Sequence, residues 1–244
     1  MIDEQVTVVV PSSPIPRHPD TGILETTIES IRYHFPDAEI ILTFDGLSTD
    51  TLPRHDDYEE YIRRALWRAD RSWGAVCPFV HTEHQHQSLM MRQALNEIRT
   101  PLILYVEHDA PLVTDEVILW SPVYQALHSG EANLVRFHHE AHIPTEHEHM
   151  MHGRITVDDG LPLIRTSQWS QRPHLATTAF YERIMESYFP WSDRVFIEDR
   201  MHGIVDQAYR RHGLLGWEQF RLYIYAPEGN NIKRSYHSDG RKSI

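Results

Sequence analysis

The sequence predicts an α/β fold in which a mostly parallel sheet carries helices on both faces. Apolar, β-branched runs typical of buried strands alternate with longer segments whose apolar residues recur at helical spacing. Over residues 1–130 a strand is followed by a helix four times, and such alternation favours parallel strands joined by crossover helices. The length of 244 residues suits one domain with a substantial core.

The predicted elements of the first half come in strict alternation. The strands are residues 6–10, ended by Pro11, then 39–44, 76–81 and 102–106. The helices are residues 22–33, 57–70, 88–98 and 115–127. In the first helix Leu24, Ile28 and Ile31 fall on one face, and Pro36 follows its end.

After residue 130 the alternation loosens. Further strands are predicted at 132–137 and 222–225, a hairpin at 155–164 with Asp159-Gly160 as its turn, and helices at 175–189 and 204–212. Without a linker or an internal repeat, residues 1–244 are predicted to form a single domain. Its basic tail, 226–244, has too few apolar residues to predict an ordered structure.

Composition excludes several classes of protein. The formal net charge of −12 argues against a broad nucleic-acid-binding surface. No apolar run approaches the ~20 residues that span a bilayer. The acidic start MIDEQ leads directly into a strand, so no secretory signal is predicted. The single cysteine, Cys77, excludes an internal disulfide and fits a reducing compartment, so we expect a cytoplasmic protein.

Three of the predicted strands end in polar residues. Pro11-Ser12-Ser13 follows the first strand, Asp45-Gly46 the second, and Glu107-His108-Asp109 the strand in LILYVEHDAPLV. The carboxyl ends of parallel strands meet at one edge of a sheet, which is where ligands bind in such folds. The sequence therefore predicts a binding site at this edge.

The Glu107-His108-Asp109 cluster allows two interpretations. An aspartate at the end of a strand can cap the helix that follows. Alternatively, carboxylates held rigidly at the end of a strand suit a hard cation such as Mg²⁺ or Mn²⁺, which prefers oxygen ligands. The second interpretation gains weight from the polar ends of the neighbouring strands.

The order of these motifs over about residues 5–212 resembles the GT-A glycosyltransferases of the family-2 type. In that family the loop after the first strand meets the nucleotide, here VTVVVPSSPIPRHP with Pro11, Ser12 and Ser13. An acidic residue after the second strand contacts the base or the ribose, here Asp45 in TFDG. The resemblance implies that about 1–130 is the half that binds the nucleotide-sugar donor, and about 131–225 the acceptor and catalytic half.

The resemblance also implies a metal site and a catalytic base. The segment EHD occupies the place of the DxD motif, so Asp109 would hold Mn²⁺ or Mg²⁺ on the diphosphate and Glu107 would contact the donor. Glu107 replaces the usual first Asp. A later acidic pair supplies the base, here Glu198-Asp199 in FIEDR. Asp199 is the expected base; alternatively Glu198 is the base and Asp199 orients a sugar hydroxyl.

Additional candidates surround this set. The segment HQHQSLMMRQAL stands where the family has a glycine-rich stretch, and its Arg92 or Gln93 could face the diphosphate. His202 and His237 could complete the shell of the cation. Trp191, just before FIEDR, offers a flat apolar face to an acceptor sugar.

The resulting prediction is a metal-dependent glycosyltransferase, inverting by resemblance, with a nucleotide-diphosphate sugar as donor and an unknown hydroxyl compound as acceptor. Two alternative functions stay open.

The first alternative draws on the histidines of residues 138–152, which suggest a zinc site, since His138 and His142 would share a helix face, although HExxH is absent. A metal-dependent nucleotidyltransferase or hydrolase could use Asp109 with this segment. A non-catalytic module that binds nucleotide-sugars is the other alternative.

Overall fold

The computed structural model describes residues 2–157, 160–229 and 231–238. Its strands are β1 (Val6–Ser12), β2 (Glu39–Phe44), β3 (Val76–Val80), β4 (Leu102–Tyr105), β5 (Leu134–Phe137), β6 (Met151–Val157), β7 (Leu161–Thr166), β8 (His174–Thr177) and β9 (Leu222–Tyr225). Its α-helices are α1 (Gly22–His34), α2 (His55–Arg71), α3 (His86–Glu97), α4 (Trp120–His128), α5 (Thr178–Tyr188), α6 (Ile197–His212) and α7 (Leu214–Trp217). Short 3₁₀ segments lie at Ile2–Gln5, Leu52–Arg54 and Thr145–Met150.

The strands form one sheet in the order β3-β2-β1-β4-β8-β5-β9-β7-β6. Strands β1 to β4 pair in parallel, as the alternation of the first half predicts. Strand β8 runs antiparallel to both β4 and β5, and β7 runs antiparallel to β6 and β9. The α/β fold is confirmed, and its antiparallel pairings involve β6, β7 or β8 of the second half, including the pair of β4 with β8 that joins the two halves.

Helices cover both faces of the sheet, as predicted. Alternate residues of β1 point to opposite faces, so Val8 and Val10 join one apolar cluster while Val9 joins another. The first cluster includes residues of α1, α2 and α4, and the second includes residues of α3, α5 and α6. Burial on both faces explains why the central strands read as continuous apolar runs.

Several predicted boundaries were wrong. Strand β1 continues through Pro11 to Ser12, and Pro11 uses its carbonyl to accept a hydrogen bond from His108 N (3.2 Å). Helix α6 begins at Ile197, earlier than predicted, and the segment predicted as helix 175–189 begins with strand β8. The predicted hairpin is confirmed as β6 and β7; Asp159 of its turn lies outside the described residues.

Helix α4 begins at Trp120 instead of residue 115. The preceding segment bonds to the end of the chain: Arg234 Nε donates to Val117 O (3.1 Å), and the Asn231 amide contacts Glu116 (3.3 Å). Within the tail, Ile232, Arg234 and Ser235 are buried, and Ser235 pairs with Leu112 in an isolated β-bridge. Residues 231–238 are therefore packed against the loop after β4, while 239–244 lie outside the described residues.

No helix in the part of the chain that the structure describes is both long and apolar enough to cross a membrane.

A buried histidine makes the stability of this fold dependent on pH. His174 Nδ1 donates to Arg172 O (2.7 Å), Nε2 accepts from the Tyr181 hydroxyl, and the ring stacks on Tyr105. Burial lowers the pKa of His174 to about 4. The unfolded chain therefore binds this proton at a higher pH than the folded protein, so folding stability falls as the pH drops from about 6.5 towards 4.

We expect His174 to contribute roughly 3 kcal/mol of this acid destabilisation. The variant His174→Gln should be less stable than wild type at pH 7, because it loses the stacked ring. Its urea unfolding free energy should fall less steeply between pH 6.5 and 4.5. The matched control, His128→Gln, changes an exposed histidine and should retain the wild-type slope. A wild-type slope in His174→Gln would contradict the assignment.

Candidate active site

The three polar strand ends lie next to one another at one edge of the sheet. Hydrogen bonds between backbone groups continue the parallel pairing beyond the strands. Asp45 N donates to Ser12 O (2.9 Å), and His108 N donates to Pro11 O (3.2 Å). The loops that follow β1, β2 and β4 therefore begin side by side, as the sequence predicts.

A first cavity of about 500 Å³ opens at this edge. It is lined by Pro11, Ser12, Ser13, Pro14, Ile15, Pro16, Asp45, His84, His86, Gln87, Met90, Glu107, His108, Asp109, Phe196 and His237. Most of the residues predicted for donor and metal binding are in this list. The side chain of Ser12 is already engaged, because its hydroxyl lies 2.8 Å from the buried Tyr61 hydroxyl.

Asp45 organises the loop that leads into α3. Its buried carboxylate accepts hydrogen bonds from Gln85 N (2.7 Å) and His86 N (3.1 Å), and His84 Nδ1 lies 3.1 Å from the same group. These three contacts hold His84 and His86 at the wall of the first cavity. Asp45 thus lines the cavity and also has a structural role that the turn signal Asp-Gly did not predict.

Glu107 lines the first cavity and also a second cavity that lies beside it. Its Oε1 accepts a hydrogen bond from Gln87 Nε2 (2.7 Å). Burial raises the pKa of Glu107 to about 8; the negative charges of Asp109 and Glu198 add to this effect, and Arg172 opposes it. The carboxylates of Asp109 in the first cavity and Glu198 in the second cavity therefore both act on Glu107.

Asp109 faces the first cavity together with His237, whose Nε2 lies 3.5 Å from Asp109 Oδ2. Burial alone would raise the pKa of Asp109, but the bond from His237 and the charge of His108 lower it. The described residues contain no cluster of three potential ligands. Mg²⁺ is commonly held by one or two carboxylates together with substrate phosphates, so Asp109 with His237 fits a cation shared with a diphosphate.

A second cavity, of about 490 Å³, lies beside the first. It is lined by Gln87, Glu107, Arg136, His138, His139, Glu140, His147, Gln168, Ser170, Gln171, Arg172, Phe196, Glu198, Asp199 and His237. Four residues line both cavities: Gln87, Glu107, Phe196 and His237. A ligand in one cavity would therefore adjoin a ligand in the other.

The acidic pair lies in the first turn of α6, at the second cavity. Glu198 Oε2 accepts a hydrogen bond from Gln171 N (2.8 Å), which ties α6 to the segment before β8. Asp199 is exposed, and no hydrogen bond reaches its carboxylate from a described residue. The pair thus offers one anchored and one accessible carboxylate.

Comparison with known proteins identifies the fold. No protein-family model and no curated protein matches this chain. TarS from S. aureus, solved in complex with UDP-GlcNAc, superposes with a TM-score of 0.60 at 12% identity, covering 98% of this chain and 60% of that chain. The mannosyltransferase PcManGT from Pyrobaculum calidifontis, in complex with GDP-Man and Mn²⁺, gives 0.54 at 15% identity over 92% and 57%.

A third structure, GalNAc-T7 with UDP, GalNAc and Mn²⁺, gives a TM-score of 0.56 at 12% identity, covering 98% of this chain and 45% of that chain. The chain has the GT-A fold. It spans 60% or less of the length of these three chains. The fold predicted from the order of motifs is confirmed.

Three predicted residues of the GT-A site lie elsewhere. The Arg92 guanidinium donates to Met185 O (2.5 Å) and Phe189 O and stacks over Trp191 (4.5 Å), so it fastens α3 to the end of α5 instead of facing a diphosphate. Trp191 is 70% exposed and lines neither cavity. His202 lies 3.4 Å from Trp169 O and is likewise absent from both cavity walls.

The histidine-rich segment does not form the helix on which the zinc interpretation rests. Strand β5 ends at Phe137 and the next element is a 3₁₀ segment at Thr145–Met150, so His138 and His142 share no helix face. His138 and His139 line the second cavity. Burial and the charge of Arg136 lower the pKa of His138 to about 3. Burial and the charges of Arg172, His237 and Arg136 lower the pKa of His139 to about 4.

Sequence reasoning missed Gln87, Arg136 and Arg172. Gln87 lies in HQHQSLMMRQAL, the segment that stands where the GT-A family has a glycine-rich stretch. Arg136 interrupts an otherwise apolar strand, and a charged residue within a buried run was the signal that could have identified it. Arg172 precedes a proline in a segment without periodicity, and the sequence offers no signal for it.

Gly46 permits the close approach that shapes the first cavity. A Cβ at this position would lie 2.2 Å from the carbonyl carbon of Glu83. We expect Gly46→Ala to destabilise the protein by about 1–3 kcal/mol, the usual cost of overpacking, measured by urea unfolding. Gly203→Ala in α6, whose Cβ would meet no atom within 4 Å, should be neutral or stabilising. Equal stability of the two variants would contradict this account of Gly46.

Proposed function

We propose that the protein is a metal-dependent glycosyltransferase that moves a sugar from a nucleotide-diphosphate donor to a hydroxyl acceptor, with inversion at the anomeric carbon. The observation that carries this proposal is the junction of two cavities on a GT-A fold. One cavity contains Asp109 and His237, the other contains Glu198 and Asp199, and Glu107 belongs to both. A transferase needs two adjoining binding sites of this kind.

The first cavity is the proposed donor site. The backbone of the Pro11–Ser13 segment, with His84 and His86, would surround the nucleoside, and Asp109 with His237 would hold Mg²⁺ or Mn²⁺ beside the diphosphate. When bound, such a cation neutralises the charge that develops on the leaving diphosphate. The two comparison structures that contain Mn²⁺ also contain a nucleotide, which supports this assignment.

The second cavity is the proposed acceptor site. The acceptor hydroxyl oxygen forms a bond to the anomeric carbon, the bond from that carbon to the diphosphate breaks with its electron pair leaving on the nucleoside diphosphate, and the hydroxyl proton passes to Asp199. The exposed Asp199 suits the base, because its carboxylate is accessible to the acceptor. Glu198, already bonded to Gln171 N, suits the orientation of a hydroxyl.

Nucleotide binding tests the donor site. A thermal-shift screen of nucleoside diphosphates, with and without Mn²⁺, should give a shift with one base that depends on Mn²⁺. A ligand at about 100 times its dissociation constant stabilises by roughly 2.7 kcal/mol. The isosteric Asp109→Asn should lose at least tenfold in affinity for the metal–nucleotide pair.

The control for this screen is Asp115→Asn, which changes an exposed aspartate shortly after the same strand and should bind as wild type. Binding that is unchanged in Asp109→Asn would contradict the metal site. The absence of any nucleotide shift would favour a hydrolase or a non-catalytic module.

Turnover tests the base. We expect Asp199→Asn to retain Mn²⁺-dependent nucleotide binding while kcat for sugar transfer or donor hydrolysis falls about 10²–10⁴-fold, the usual contribution of a general base. The matched control Asp206→Asn removes a carboxylate from the same helix, where it pairs with Arg210 (2.8 Å), and should keep its activity. Equal rates in wild type and Asp199→Asn would exclude this role; a large loss in Glu198→Gln alone would transfer it to Glu198.

A further inference from the structure

Arg136 is a buried cation without an ion pair. It lies in the middle of β5, where its neighbours in the sheet are His174 of β8 and Ile224 of β9, and it is 2% exposed. Its Nη2 donates to Gln168 Oε1 (2.9 Å), whereas its Nε has no hydrogen-bond partner among the described residues. Among the described residues no carboxylate lies within 4 Å of its guanidinium. Burying an unpaired charge is costly, so a partner from outside the chain is indicated.

Arg172 brings a second guanidinium to the same cavity. It is half-buried, and no described residue forms a side-chain hydrogen bond or ion pair with it. Burial lowers the pKa of Arg136 to about 10, with Glu198 opposing the decrease and Arg172 adding to it. Arg136 is therefore still positively charged at neutral pH, and its guanidinium and that of Arg172 repel each other.

Among the described residues, no acid that lines this cavity forms an ion pair with Arg136 or Arg172. The negative charge of Glu198 acts to raise the pKa of Arg136. The Glu198 carboxylate itself accepts a hydrogen bond from Gln171 N. Glu107 accepts a hydrogen bond from Gln87 Nε2 (2.7 Å) and forms no ion pair with either arginine among the described residues. Glu140 and Asp199 are exposed and screened by solvent. Burial is the main cause of the lowered pKa values of His138 and His139; the charge of Arg136 contributes to both, and that of Arg172 contributes to the decrease at His139.

We propose that the second cavity binds an oxyanion, a carboxylate or phosphate group carried by the acceptor, between Arg136 and Arg172. This assignment rests on the proposed function, and it names the chemical class of the acceptor. A guanidinium presents paired N–H donors that match the two oxygens of a carboxylate or phosphate, and the unpartnered Nε of Arg136 leaves such a donor available. The acceptor is therefore an acid that carries a hydroxyl group, such as a sugar acid or a sugar or polyol phosphate.

The acceptor is a better source of this anion than the donor. The donor diphosphate is assigned to the first cavity, where Asp109 and His237 lie, and both arginines are absent from the wall of that cavity. They share the second cavity with Asp199, the proposed base. An oxyanion at the arginines would hold the acceptor with its hydroxyl on the side of Asp199.

The test measures binding of inorganic phosphate to the full chain by calorimetry, at constant ionic strength and with EDTA present. Wild type should bind phosphate saturably, and Arg172→Gln should bind it at least tenfold more weakly. Because Arg172 is half-buried, this variant is expected to fold; Arg136→Lys, which keeps the charge and loses the planar fork, is a second variant. The matched control is Arg165→Gln, which removes a half-buried arginine outside both cavities and should bind as wild type.

Competition with phosphate then separates the two sources of the anion. Glucuronate is compared with glucose, and glycerol 3-phosphate with glycerol; the acid of at least one pair should displace phosphate, and neither neutral partner should. Phosphate affinity that is equal in wild type, Arg172→Gln and Arg165→Gln would overturn the proposal. Nucleotide binding is measured on the same samples: its failure alone would overturn the proposed function, while loss of phosphate binding in Arg172→Gln would still establish the oxyanion site.

Discussion

The parallel pairing of β1 with β2 and β4 is the constraint on which the candidate site depends. Apart from Glu39 at the start of β2, every residue of the three strands is buried, and a slip of one residue would turn every side chain to the opposite face of the sheet. The register is therefore fixed by the core. The hydrogen bonds from Asp45 N to Ser12 O and from His108 N to Pro11 O continue this register past the strands. Residues that are far apart in sequence thus reach one cavity because apolar packing aligns the strands that carry them.

Gln87 connects the two cavities that this edge supports. Its amide donates to Glu107 Oε1 (2.7 Å), and its carbonyl oxygen lies 3.3 Å from both Gln171 Nε2 and Ile197 N. One side chain of α3 therefore joins the end of β4, the segment before β8 and the start of α6. These contacts explain how the acidic pair of α6 is held beside the strand ends although it follows Glu107 by about 90 residues in sequence. They also explain why α3 begins so close to the cavity.

The sequence predicted those features that depend on local pattern, and missed those that depend on distant partners. Buried runs identified the central strands, and strand-end polarity identified the residues around Asp45 and Asp109. The four residues of β8 are too few to show a period, and they form a strand because β4 and β5 offer backbone groups on both sides. Residues 115–119 leave the predicted helix for contacts with Arg234 and Asn231. Arg92 bonds to carbonyls of α5 that no local pattern reveals.

The site gathers several carboxylates at one edge, and their different surroundings give them different chemistry. Asp45 accepts two backbone N–H groups, Glu198 accepts one, and Asp109 is paired with His237. Hydrogen bonds of this kind hold a carboxylate in place and occupy lone pairs of its oxygens. Asp199 is exposed and receives no such bond from the described residues. A carboxylate that is to take a proton from an acceptor needs a free oxygen, so this distribution of backbone donors supports the proposal of Asp199 as the base.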